Sequence, residues 1–280
     1  MTRYTLDPAM PVLMRPDDTV QVGWDPRRAV LVSPTAGLTP DALADLLRAL
    51  QSGLTLPVLA SLMLNRGAHD ARAAAELVDS LTRSKVLTVD VPRTRSASVR
   101  VHGRGPLSDL LTGALRCSGN RIAISRLSHA GVNPRNTDLV VLSDYLVTDP
   151  QVVHDLHDAG VPHLQVRVRD GTGLVGPLVV PGQTSCLRCA DLHRSDRDAA
   201  WPAVAAQLRR TVGNADRATV LATAALALDQ VERVVKAVQG CGGPGLRDAP
   251  PPTLDTTLEF DVHTGSTISR RWSRHPRCGC

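Results

Sequence analysis

The stretch Pro181-Gly-Gln-Thr-Ser-Cys186-Leu-Arg-Cys189, taken with Cys278-Gly279-Cys280, decides how this chain must fold. Cys-x-x-Cys presents two thiolates from one tight turn, half of the ligand set of a tetrahedral zinc ion. The second pair lies far along the chain, so the residues between must fold so that the two pairs meet. In a reducing compartment, clustered cysteines act as metal ligands or catalytic groups rather than disulfides. Cys186, Cys189, Cys278 and Cys280 therefore read as a closed, structural zinc site. His193, Cys241 and His275 are candidates to replace one ligand, and a reduced cluster without metal is the alternative. Cys117, after an amphipathic helix, reads as a buried apolar residue. His193, Arg194 and Asp196 read as a solvated helix end.

The 280 residues suffice for two modest cores, and 42% hydrophobic with 21% charged residues is an ordinary globular balance. With one Phe in the chain, Leu, Val and Ala must fill those cores. The net charge of +5 is spread without a basic block, so nucleic-acid binding is not expected. No apolar h-region follows Met1, and the most apolar run, Val220 to Leu228, is too short to span a bilayer. A cytoplasmic protein without a membrane partner is expected.

Residues 1–92 read as a first domain. Val12–Arg15, Thr19–Val22 and Ala29–Val32 are short β-prone runs, punctuated by Asp17-Asp18 and Trp24-Asp-Pro-Arg27. Three helical patterns follow: Asp41–Leu50 after Thr39-Pro40, Leu56–Asn65, and Asp70–Arg83. Val86–Val89 closes the unit as a strand. Strands followed by three short helices predict a winged-helix-like α+β arrangement. As a DNA reader its third helix is poorly equipped, with Arg72 and Arg83 set among Glu76 and Asp79.

After a polar linker, residues 98–280 read as an α/β domain. Ser98–His102 is a strand, Gly103-Arg-Gly105 a glycine loop and Leu107–Arg116 a helix, the layout of a nucleotide fold. The fingerprint is degenerate: Ser108 stands where a third glycine belongs, and Pro106 removes an amide donor. Arg121–Ile124, Asp138–Leu142, Pro162–Val168 and Leu174–Val180 are further strands, and Pro150–Ala159, Asp198–Arg210 and Asp216–Val238 are helices. Leu258–Val262 and Thr267–Arg271 form a closing hairpin. Alternation of strand and helix predicts a largely parallel sheet.

The first domain resembles the PqqD type of peptide-binding domain, carried by the element order and by Val20-Gln-Val-Gly-Trp-Asp-Pro-Arg-Arg-Ala-Val-Leu-Val32. That resemblance implies an extended peptide added to the edge of Ala29, Val30, Leu31 and Val32, against a third helix bearing Arg72, Glu76 and Asp79. The second domain resembles the ThiF family, carried by Val140-Val-Leu-Ser-Asp144, Val175–Gly182 and the two cysteine pairs. In that family the fold is Rossmann-type and often dimerises, so a homodimer is expected. ThiF proteins adenylate a carboxylate, which would employ Gly103, Gly105 and Asp144, the last toward magnesium. In the branch that fuses both domains, the chain binds a leader peptide for an azoline-forming cyclodehydratase and does no adenylation itself. The missing ribose acid and arginine motif between Ser125 and Asp138 favour that branch. ATP and magnesium are then not expected, and the function is a scaffold that presents a peptide or protein segment to a partner enzyme. An adenylyltransferase using Asp144 is the first alternative, and a winged-helix DNA-binding regulator the second.

Overall fold

The computed structural model describes residues 2–35, 37–90, 95–126, 132–240 and 250–280. Cys241 and part of the linker lie outside the described residues. The chain divides into two compact units, one within Met1–Thr94, the other Arg95–Gln239 with Pro250–Cys280.

The first unit runs β1 (Arg3–Leu6), β2 (Val12–Met14), β3 (Val20–Val22), β4 (Val30–Val32), α1 (Pro40–Gln51), β5 (Leu54–Thr55), α2 (Leu56–Asn65), α3 (Arg72–Arg83) and β6 (Leu87–Asp90). Two three-stranded antiparallel sheets result, ordered β5-β1-β6 and β2-β3-β4. Helix α1 starts where the sequence demands. Thr39 Oγ1 accepts the Ala42 amide at 3.2 Å, and Pro40 occupies a position that needs no donor. Its Leu43, Leu46, Leu47 and Leu50 are buried with Leu6, Val20, Val22, Leu59, Met63, Leu77 and Leu81 in one cluster. Strands β1 and β5 are additions to the sequence reading. Ala29 is a correction: its amide donates to the Asp25 carbonyl at 2.7 Å, a turn bond, and the strand begins at Val30.

The second unit runs β7 (Ser98–His102), α4 (Pro106–Arg116), β8 (Arg121–Ser125), β9 (Leu139–Ser143), α5 (Pro150–Asp158), β10 (His163–Arg169), β11 (Thr172–Val179), α6 (Leu187–Arg197), α7 (Trp201–Leu208), α8 (Arg217–Val238), β12 (Thr256–Asp261) and β13 (Ser266–Arg271). One seven-stranded sheet has the order β13-β12-β11-β10-β9-β7-β8. Strands β8, β7, β9 and β10 are parallel, and β10 to β13 antiparallel, so the sheet is mixed. Both faces are covered. Val99, Val101, Val141, Leu164, Val166 and Val168 pack with residues of α4 and α8, while Val140 and Leu142 pack with Val152, Leu156 and Leu187 on the other side. Alternation along β10 therefore turns His163, Gln165, Arg167 and Arg169 toward that second face. Two readings are corrected here. The helix expected over 198–210 is α7, and α6 precedes it. Cys117 is exposed, because it caps the C-terminus of α4 after the buried face has ended.

His163 is fully buried; its Nδ1 lies 3.0 Å from the Val161 carbonyl, and its Nε2 has no partner. A carbonyl only accepts, so Nδ1 carries the proton. Burial lowers its pKa from 6.5 to about 4, with His157 adding to the shift. The unfolded chain then takes a proton that the folded one refuses as pH falls through that window. Stability attributable to this group should fall by about 3 kcal/mol between pH 6.5 and pH 4. Urea unfolding across that range should show an acid limb shallower by that amount in His163→Leu. An unchanged limb would contradict the assignment.

Candidate metal centre and glycine loop

The Cys-x-x-Cys pair does not sit in a loop. Cys186 is the N-cap of α6 and Cys189 lies in its first turn, so the two sulfurs face one side at a spacing of three residues. Cys278 and Cys280 arrive from the segment after β13. The Sγ–Sγ distances are 3.8 Å for Cys186–Cys189, 3.6 Å for Cys186–Cys278 and 3.4 Å for Cys189–Cys280. All four sulfurs lie within 4.8 Å of one another. Zinc–sulfur bonds of about 2.3 Å at tetrahedral angles require sulfurs about 3.8 Å apart. The four cysteines fit a metal ion.

Without a cation such a cluster resists ionisation. Burial pushes the Cys186 thiol far up and the Cys280 thiol up as well. Burial also works against Cys189, yet backbone hydrogen bonds from His275 and Cys186 bring it below the ordinary thiol value. A bound dication favours the thiolate at every ligand.

A polar latch brings the second pair into place. Asp255 accepts the Ser185 amide at 2.6 Å and the Ser185 hydroxyl at 2.8 Å, while the Trp272 amide donates to the Asp255 carbonyl at 2.7 Å. Arg274 donates to the Gly182 carbonyl at 2.6 Å. His275 Nε2 lies 2.7 Å from Asp196 Oδ2, and Arg277 bonds the same carboxylate. The His275 hydrogen bond is the first cause holding Asp196 below the usual carboxylate range. His193 Nε2 reaches the Ser273 carbonyl at 3.1 Å, and its ring meets that of His275 edge to face at 4.7 Å. The two histidines considered as ligands thus hold the backbone around the cysteines. The reading of His193, Arg194 and Asp196 as a solvated helix end is corrected at Arg194: Asp196 is exposed, but Arg194 is half-buried, with its guanidinium over Trp201 at 5.1 Å and Trp272 at 4.9 Å.

Gly103, Gly105 and Asp144 also come together, through contact between strand ends. A Cβ on Gly103 would lie 2.4 Å from the Ser143 carbonyl oxygen, and one on Gly105 would lie 2.7 Å from Asp144 Oδ1. Asp144 is 1% exposed and accepts the Leu107 amide at 2.9 Å and the Ser108 amide at 3.1 Å. A carboxylate from within the chain therefore occupies the anion position at the N-terminus of α4. Its backbone is held at φ 71° to make this reach.

In the first unit, β4 is an edge strand, with Leu31 56% exposed. Arg72, Glu76 and Asp79 are exposed on α3 at helical spacing.

No family model and no curated protein matches the sequence. Solved structures do. The heterocyclase TruD superposes with a TM-score of 0.67 at 17% identity, over 100% of this chain and 42% of that one. A heterocyclase in complex with substrate and cofactor gives 0.68 at 17%, over 100% of this chain and 39% of that one. Escherichia coli MccB solved with ATP gives 0.60 at 12%, over 99% of each chain. The chain spans about two fifths of the heterocyclases' length. At these identities the likeness establishes the fold alone, which the chain shares with TruD and MccB.

Proposed function

We propose that this chain is a non-catalytic ThiF-like scaffold that binds an extended peptide on a winged-helix-like domain spanning residues 1–92. It presents that peptide to a cyclodehydratase-type partner enzyme, and the 98–280 domain serves as the platform, paired as a homodimer. The observation that carries the non-catalytic reading is the Asp144 carboxylate on the Leu107 and Ser108 amides. Those two donors are what a phosphate-cradling loop would turn to its ligand, and here they are spent within the chain. The peptide reading is supported by the open edge of β4, which offers backbone pairing, and by a helix of the same unit, α3, that carries exposed charges of both signs. Zinc is the ion we assign to Cys186, Cys189, Cys278 and Cys280. Four protein thiolates fill its coordination and leave no position for substrate, so it contributes stability rather than chemistry.

Adenylation is the second reading, favoured by the end-to-end match to MccB, a protein solved with ATP. A DNA-binding role is disfavoured because Glu76 and Asp79 share the exposed face of α3 with Arg72. Two assays separate the readings. Purified protein with magnesium and ATP is expected to show no pyrophosphate exchange with peptides selected by display. Those peptides should slow hydrogen exchange of the amides at residues 30–32. Protection confined to the second unit, or exchange activity above background, would reject the scaffold.

A further inference from the structure

The polar face of β10 borders a cavity of about 790 Å³ within the second unit. That size lies inside the range of roughly 300–1,000 Å³ typical of small-molecule sites. Leu146, Val153, Leu187, Trp201 and Leu208 give it apolar walls. Arg167 belongs to its lining and is only 6% exposed, yet among the described residues its guanidinium makes no hydrogen bond or ion pair. A buried arginine without a partner is costly, and native interiors pair such groups.

Both acids whose charge reaches Arg167 are engaged elsewhere. Asp191 is 2.8 Å from Arg194 and accepts from Trp201 Nε1 at 3.3 Å. Glu259 is 2.9 Å from Arg270 and 3.5 Å from Arg169. Burial lowers the Arg167 pKa to about 9, which still leaves it cationic at neutral pH. Among the described residues nothing else supplies the counter-charge, and a bound ligand is expected to do so.

We propose that this cavity binds a small carboxylate with an apolar body, its carboxylate held by the Arg167 guanidinium. A planar guanidinium offers two parallel donors that match a carboxylate. The cysteine centre forms another wall, through Cys186, Cys278 and Cys280, and thiolates around a metal carry excess negative charge. That wall favours a monoanion over a phosphate dianion. The site lies wholly in the second unit and does not depend on the peptide reading.

Benzoate, benzamide and inorganic phosphate serve as probes in calorimetric titrations of the zinc-loaded full chain. Benzoate is expected to bind saturably and at least about tenfold more tightly than benzamide, its neutral isostere, or phosphate. Arg167→Lys, which keeps the charge and loses the fork, should weaken benzoate about tenfold, and Arg167→Met should abolish binding. Arg271→Ala, at an exposed residue outside the cavity, should stay within about twofold. Zinc content and melting curves report folding, and Arg167→Lys alone decides if Arg167→Met does not fold. Equal affinity in wild type and Arg167→Lys, tighter phosphate binding, or no saturable benzoate binding would overturn the proposal.

Discussion

Cys189→Ser is expected to purify without zinc and to melt about 10 °C below the wild-type chain. The reasoning runs through linkage. A metal that binds only the folded state stabilises by about 4 kcal/mol when free ion exceeds Kd about a thousandfold. In a domain of this size each kcal/mol moves Tm by roughly 2–4 °C. Cys189 is fully buried and its sulfur sits 3.8 Å from Cys186 and 3.4 Å from Cys280, so serine cannot replace it without breaking the set. A strong chelator should reproduce the effect on the wild-type chain and leave Cys189→Ser unchanged. Cys117→Ser, at an exposed sulfur outside the cluster, should alter neither zinc content nor Tm. Stoichiometric zinc in Cys189→Ser with an unshifted Tm would reject the centre.

Asp144→Ala should cost about 3 kcal/mol of unfolding free energy in urea. The substitution strips the acceptors from two buried amides at the start of α4 and removes a carboxylate from the positive end of its dipole. Alanine must also tolerate the φ of 71° that aspartate accepts more readily. Asp144→Asn keeps one acceptor and should lose less. An adenylating enzyme makes the opposite pair of predictions: if Asp144 served magnesium, alanine would abolish pyrophosphate exchange and spare stability. Unchanged stability in Asp144→Ala would therefore remove the strongest support for the scaffold.

The two sites were legible to different degrees, for physical reasons. The cysteine cluster could be read because ligand spacing is local within each pair and chemistry demands the rest. Gly103 and Gly105 were harder to read because glycine answers any close approach. The atoms approached here are those of Ser143 and Asp144, a contact that no local spacing encodes. Strands β9 and β11 announce themselves as largely apolar runs buried on both faces. Helix α6 does not, since Leu-Arg-Cys-Ala-Asp-Leu-His-Arg-Ser-Asp-Arg carries charge on nearly every face and buries only Leu187, Cys189 and Ala190. The alternation in His163-Leu-Gln-Val-Arg-Val-Arg169 predicts a strand with one face in water. Helices cover most of that face instead, which is how three polar side chains, His163, Gln165 and Arg167, came to lie inside the domain. Tyr4 and Leu6 were too few to mark β1 as a strand before its partner β6 was known.

The latch between α6 and the segment after β13 also has a consequence for how the domain breathes. Ser185 to Asp255, Gly182 to Arg274 and Asp196 to His275 join residues separated by 70, 92 and 79 positions. Each of these contacts helps to hold the partners of the others in register. The start of α6 and the β12–β13 hairpin should therefore open as one unit, with amides at both showing a common opening free energy. An outer edge that topology alone would leave to fray independently is thereby bound to the stability of the interior.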